Sequence, residues 1–260
     1  MDHSLRSLRS QVFSRTWPLD QEIRAIARQI PSHGFLYNPA SHYVYIYLTR
    51  YVQLMSEHVL EHPFGALSVL DWGCGKGHVS KLLRDLGPGA LRSCDLASDE
   101  EDSAFGQDTP LIREFNIPVT PLDHEYKLPY SDATFDVVLS VGVLEHVAND
   151  QASLAEIGRV LRPGGIFFCF NLPTTLSWTQ KLSHMRGNLY HDRLYDERHI
   201  REMLSSVEFN LLDLWYRQIL PKNSVHYPMF RLWEKIDQFV TSYSPLRVFA
   251  TSIEFVASRR

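Results

Sequence analysis

In the stretch Ser68-Val69-Leu70-Asp71-Trp72-Gly73-Cys74-Gly75-Lys76-Gly77, an apolar run ends in an acid and then passes three glycines at alternate positions. Beyond it, Val79, Leu82, Leu83 and Leu86 recur at helical spacing. The pattern predicts a strand, a tight loop and a helix. Glycines suit a backbone that turns sharply and lets a ligand come close, and the free N–H groups at the start of a helix favour electron-rich atoms. A nucleotide-like ligand is expected there.

The spacing separates the nucleotide-binding loops from one another. A dinucleotide fingerprint, G-x-G-x-x-G, needs glycine where His78 stands. A triphosphate loop needs G-x-x-x-x-G-K-[ST], and Lys76 is followed by Gly77. The observed G-x-G-x-G after an acid resembles the first motif of the class I S-adenosylmethionine-dependent methyltransferases. The resemblance continues through Ser131 to Ser140, similar to the family's fourth-strand motif. It extends through Val141-Gly142-Val143-Leu144-Glu145-His146-Val147, similar to a group that methylates mostly small molecules. It also takes in the turn Arg159-Val160-Leu161-Arg162-Pro163-Gly164-Gly165. These matches fall in the family's order over about residues 66 to 171.

Across all 260 residues, 44% are hydrophobic and 22% charged, ordinary values for a globular chain. A net charge of −4 gives no overall basic field for a polyanion, so nucleic acid is disfavoured as a partner. The three cysteines, Cys74, Cys94 and Cys169, form no C-x-x-C pair and no ligand spacing with histidine. They read as reduced core residues of a cytoplasmic protein, and no metal site is expected. No apolar run is long enough to span a bilayer. Arg6, Arg9 and Arg15 among serines make the first nineteen residues resemble a presequence in composition, although a basic N-terminal arm is the plainer reading.

Residues 1–65 are expected to form N-terminal helices that cover the site, one over Gln21 to Ile30 and one capped by Asn38 and running to Leu60. Tyr43, Tyr47 and Tyr51 fall four apart on the second, a stripe suited to core packing. Residues 66–260 are expected to form the main domain. A second strand ends in Asp95, where nucleotide-binding sheets place an acid that accepts from both ribose hydroxyls. A loop or short helix follows, then a third strand around Ile117 to Leu122. Asp150 is expected to cap the helix that carries Leu154, Ile157 and Leu161, with a fifth strand at Ile166 to Phe170. Helices at Leu176 to Met185 and around Ile200 to Val207, a sixth strand from Phe209 to Ile219 and a last strand from Val248 to Ala257 complete it. About 221–245 reads as a helical insertion whose Met229, Trp233, Ile236 and Val240 form an apolar stripe, suited to packing against the core, to a lid or to a membrane surface, in that order.

The family resemblance implies an α/β, Rossmann-like, seven-stranded and mostly parallel sheet with an antiparallel last strand and helices on both faces. Its cofactor would be S-adenosylmethionine, held by Asp71, Gly73, Cys74, Gly75 and Gly77, with Asp95 and Leu96 at the ribose. Asp123 or His124, just before Leu128-Pro129, would meet the adenine, and Ser140 and Val141 would lie near the methionine end. Methyl transfer to a small-molecule acceptor is the implied activity, with O-methylation of a saccharide or natural-product hydroxyl favoured. The alternatives are a lipid or quinone-like acceptor at a membrane surface, or a module that only binds the cofactor. His146 is the candidate for positioning or base work, because histidine titrates where a hydroxyl proton must be taken. His191, in the polar loop Asn188 to Arg193, is the candidate acceptor contact. Sequence leaves the oligomeric state open.

Overall fold

A computed structural model describes residues 5, 7–9, 12, 39–97, 104–105, 110–185, 187, 193–220 and 230–260. The expected helix over Gln21 to Ile30, the cap Asn38, the loop with His191 and the first part of the insertion, including Met229, lie outside these residues. Seven strands form one sheet: β1 (Ser68–Trp72), β2 (Ala90–Leu96), β3 (Val119–Leu122), β4 (Phe135–Val141), β5 (Leu161–Pro173), β6 (Phe209–Arg217) and β7 (Ser252–Arg259). Their order is β3-β2-β1-β4-β5-β7-β6. β1 to β5 run parallel, and β7 is antiparallel to both β5 and β6, which matches the architecture implied by the resemblance.

The described helices are α1 (Pro39–Leu60), α2 (His78–Leu86), α3 (Pro110–Glu114), α4 (Asp150–Val160), α5 (Trp178–Met185), α6 (Glu197–Ser206) and α7 (Phe230–Tyr243). Alternation along the strands divides the core in two. Val69, Ile166, Phe168 and Phe170 face α1 and α2, packing with Tyr47, Tyr51, Met55 and Leu83. Leu70, Phe167 and Cys169 face the opposite layer, where α4 supplies Leu154 and Ile157 and α6 supplies Ile200 and Leu204. Helices therefore cover both faces. Tyr47 and Tyr51 are core residues, and Tyr51 stands edge-on to Phe168 and Trp215.

Several boundaries differ from expectation. The cap of α4 is Asn149, whose side chain accepts from Ala152 N–H at 3.0 Å, and Asp150 is the first helical residue. The last strand starts later than expected, because Ser244 caps a short 3₁₀ turn over Pro245–Phe249 by accepting from Leu246 N–H. The apolar stripe of α7 faces outward: Trp233 is 39% and Ile236 41% exposed. The helix buries Asp237 and Thr241 instead, because the Asp237 carboxylate accepts the backbone N–H groups of Ile219 and Leu220. Pairing the buried Asp237 carboxylate outweighs the apolar stripe in setting its rotation. The described residues near the N-terminus are packed as well. Leu5 and Val12 are buried in the α1 layer, and Arg9 pairs with Asp213 on β6.

Candidate functional site

The site begins where β1 ends. Asp71 is buried, with Ser80 Oγ of α2 donating to its carboxylate at 2.5 Å and Ser93 Oγ 2.8 Å beyond. Burial pushes this carboxyl up to about 7, against the Ser80 hydrogen bond, which pulls the other way. The chain then turns across the ends of the strands, with Gly73 and Cys74 N–H both donating to Cys94 C=O. Gly73 lies at φ 71°, and a Cβ there would sit 2.5 Å from a Val143 methyl, so the loop and the segment after β4 approach as closely as glycine allows. Gly77, at φ 83°, precedes α2 and faces Ile112. The glycine requirement at these two positions is therefore steric, and both neighbours belong to the protein.

A cleft of about 380 Å³ opens above the loop. Of the residues singled out in the sequence, Asp71, Gly73, Cys74, Gly75, Val141 and His146 line it. Gly77 and Ser140 do not. Ser140 is fully buried, its hydroxyl 3.5 Å from Cys169 Sγ, because the alternation of β4 points it into the sheet's packed face. Asp95 and Leu96 lie at the end of β2, outside the cleft lining, and Asp95 accepts from Leu96 N–H at 2.9 Å and from Ala104 N–H at 2.7 Å. Burial raises the Asp95 carboxyl above its ordinary value, and the N–H groups of Ala104, Leu96 and Gly75 counter this. Each carboxylate oxygen keeps a further lone pair for a hydroxyl. Asp123 and His124 are exposed, just past β3.

His146 and its neighbour Glu145 form the cleft's β4 edge. His146 has a 51% exposed side chain, with Nε2 3.9 Å from Glu145 Oε1. Glu145 is nearly inaccessible, and its Oε2 has no hydrogen-bond partner. Burial pushes its carboxyl up to about 8, so it holds a proton at neutral pH. Sequence reasoning passed over Glu145. The available signal was an acid set inside the apolar run Val141 to Val147.

The opposite wall comes from the ends of β5, β6 and β7 and from α5: Asn171, Pro173, Gln180, Gln218, Thr251 and Ser252. Behind it, Arg217 and Glu254 form a buried ion pair at 2.5 Å, and Arg217 also donates to Asn171 Oδ1 at 2.7 Å. Tyr45 of α1 closes the near side, stacked on His78 with ring centroids 5.7 Å apart. Among the described residues, no three His, Cys, Asp or Glu side chains are grouped as a metal would need, and no helix is long and apolar enough to cross a membrane.

Residues 70–169 match the family model of a methyltransferase domain. The chain is similar to ubiquinone biosynthesis O-methyltransferases, at 32% identity over 117 residues in the protein of Maricaulis maris and 34% over 114 in that of Caulobacter vibrioides. Each match covers 44% of this chain and 44% of the relative, so the chain aligns with less than half the length of these relatives. Among solved structures, the YcgJ protein of Bacillus subtilis superposes with a TM-score of 0.52 at 16% identity, covering 80% of this chain and 97% of that one. The match over residues 70–169, set in a sheet of this order, identifies that part of the chain as an S-adenosylmethionine-dependent methyltransferase domain of the class I kind.

Proposed function

We propose that the protein transfers a methyl group from S-adenosylmethionine to a hydroxyl of a small molecule, with a saccharide or natural-product hydroxyl favoured over a lipid or quinone-like ring. The observation that carries this reading is one cleft that joins the glycine loop to the Glu145–His146 edge and to a wall of uncharged polar side chains. The residues fit the cofactor. The loop is open on its cleft side, and Asp95 retains lone pairs for ribose hydroxyls while its backbone bonds hold it in place. Gly73, Cys74, Gly75 and Val141 would flank the methionine end, and Asp123 or His124 the adenine. When bound, S-adenosylmethionine supplies a methyl group already activated on a sulfonium.

The protein's own work is then to align the hydroxyl, exclude water and accept a proton. His146 is the proton acceptor in this reading. Glu145, protonated beside it, places no competing negative charge at the cleft. His191 remains the proposed acceptor contact. The three described cysteines are free and buried, in keeping with a cytoplasmic setting, and the net charge of −4 disfavours nucleic acid as a partner. Incubation with methyl-labelled S-adenosylmethionine and fractionated extract tests the reading. Label is expected in a small-molecule fraction, and label that never leaves the cofactor with any fraction would refute it.

A further inference from the structure

The far wall of the cleft is built unlike the near one. Asn171 and Gln218 both hold left-handed backbone conformations, at φ 64° and 65°, which glycine adopts freely and glutamine rarely does. Each is locked from behind. Asn171 N–H points to Glu254 Oε1 at 3.3 Å, and Thr251 N–H donates to Gln218 C=O at 2.7 Å. Backbone strain of this kind persists where the surroundings over-determine it, and it gathers at ligand-holding positions.

The side-chain orientations follow from chemistry. Arg217 has only donors, so the atom of Asn171 that meets its Nη2 at 2.7 Å is the carbonyl oxygen. The Asn171 amide N–H groups are therefore not spent on Arg217, and the residue lines the cleft. Gln218 is only 7% exposed, yet its carboxamide takes no hydrogen bond from any described residue. The Gln180 carboxamide, on α5, takes none either. Thr251 Oγ1 is paired with Thr179 Oγ1 at 3.0 Å and keeps a lone pair or proton for a ligand.

We propose that Asn171, Gln180, Gln218 and Thr251 form the acceptor subsite, and that it takes a neutral molecule carrying several hydroxyl groups, a saccharide or polyol. This inference rests on the methyl-transfer reading and adds to it the residues that choose the acceptor. Carboxamides donate and accept at once, as hydroxyls do, so three of them around one wall pair with hydroxyls on either side of the one that reacts. An acceptor carrying phosphate or carboxylate would need a cation there. The cleft's own lysine, Lys76, belongs to the glycine loop rather than to this wall, and Arg217, behind the wall, is already neutralised by Glu254 and turned to Asn171. An aromatic or lipid acceptor would bury the carboxamides without partners, which a hydrogen-bonding site penalises heavily.

The test offers the intact protein, with methyl-labelled S-adenosylmethionine, three pools: neutral glycosides and polyols, sugar phosphates, and phenols with quinols. Label is expected in the neutral pool. Gln180→Leu and Gln218→Asn, the second keeping a residue that tolerates the left-handed backbone, should each lower kcat/KM for that acceptor by roughly tenfold or more, chiefly through KM. S-adenosylhomocysteine affinity, measured by calorimetry, should stay at the wild-type value in both variants. The proposal is overturned by label in the anionic or phenolic pool, by label in none of them, or by both variants keeping wild-type KM. Failure of the wild type to bind S-adenosylhomocysteine would instead overturn the methyl-transfer reading beneath it.

Discussion

Arg9 Nη1 lies 2.9 Å from the fully buried Asp213 carboxylate, 204 positions away in the chain, with its guanidinium 4.6 Å from the Trp215 ring. Leu5 and Val12 are packed into the same layer, and Tyr47 donates its hydroxyl to Arg9 C=O. Leu5, Arg9 and Val12, within the stretch whose basic composition resembles a presequence, are thus part of the sheet's outer packing.

Removing one partner of a buried pair leaves the other charge without its compensation. Arg9→Met, which keeps an apolar stem beside Trp215, should lower unfolding free energy by about 3 kcal/mol in urea titrations. The double variant Arg9→Met/Asp213→Asn should recover part of the loss. An unchanged midpoint for the single variant would show that the pair contributes nothing to the fold.

Glu145 ties stability to pH. The unfolded chain gives up this proton near 4.5, while the folded carboxyl holds it to about 8. Between those values the native state binds the extra proton, so stability falls as pH rises, by up to about 1.4 kcal/mol per unit. Glu145→Gln, which keeps the shape of the protonated acid, should flatten the slope measured by calorimetric melting from about pH 5 to about pH 8. Equal slopes in the two proteins would refute burial of an ionisable acid at the cleft edge.

At the proposed ribose anchor, Asp95→Ala should weaken S-adenosylmethionine binding by about 2–3 kcal/mol, because it would leave two ligand hydroxyls without their acceptor. It also frees the N–H groups of Leu96 and Ala104, so melting temperature should be followed in parallel. Binding as tight as the parent's would remove Asp95 from the cofactor site.

His146→Gln should lower turnover by ~10²–10⁴ with S-adenosylmethionine affinity nearly unchanged. The side chain is half exposed and bears little of the packing, so this variant should fold. Parallel losses of binding and turnover would make His146 a cofactor-site residue, and an unchanged rate would leave the proton to solvent.

Local order made part of the site readable. From Leu70 to Leu83, hydrophobic period, glycine spacing and the acid at the strand end all lie within one strand–loop–helix unit, so the sequence shows the loop as the structure has it. Asn171, Arg217 and Glu254 meet only because β7 enters between β5 and β6, a pairing that no local pattern records. Gln218 carried no motif at all. Periodicity found the stripe of α7 but could not say which side turns inward, because Asp237 answers to two N–H groups at the end of another strand. Glu145 was hidden for a related reason: its altered chemistry comes from burial, and its spacing alone reads as an ordinary loop acid.

β6 touches the sheet through β7 alone, and β7 is the last strand to be made. During synthesis, the first five strands can assemble with the glycine loop at their centre while β6 waits without a partner. The carboxamide at Gln218 and the hydroxyls at Thr251 and Ser252 reach their places only when β7 inserts. A growing chain would therefore shape its glycine-loop floor well before it has a far wall, and on the proposed reading the sheet would acquire discrimination among acceptors after its cofactor side.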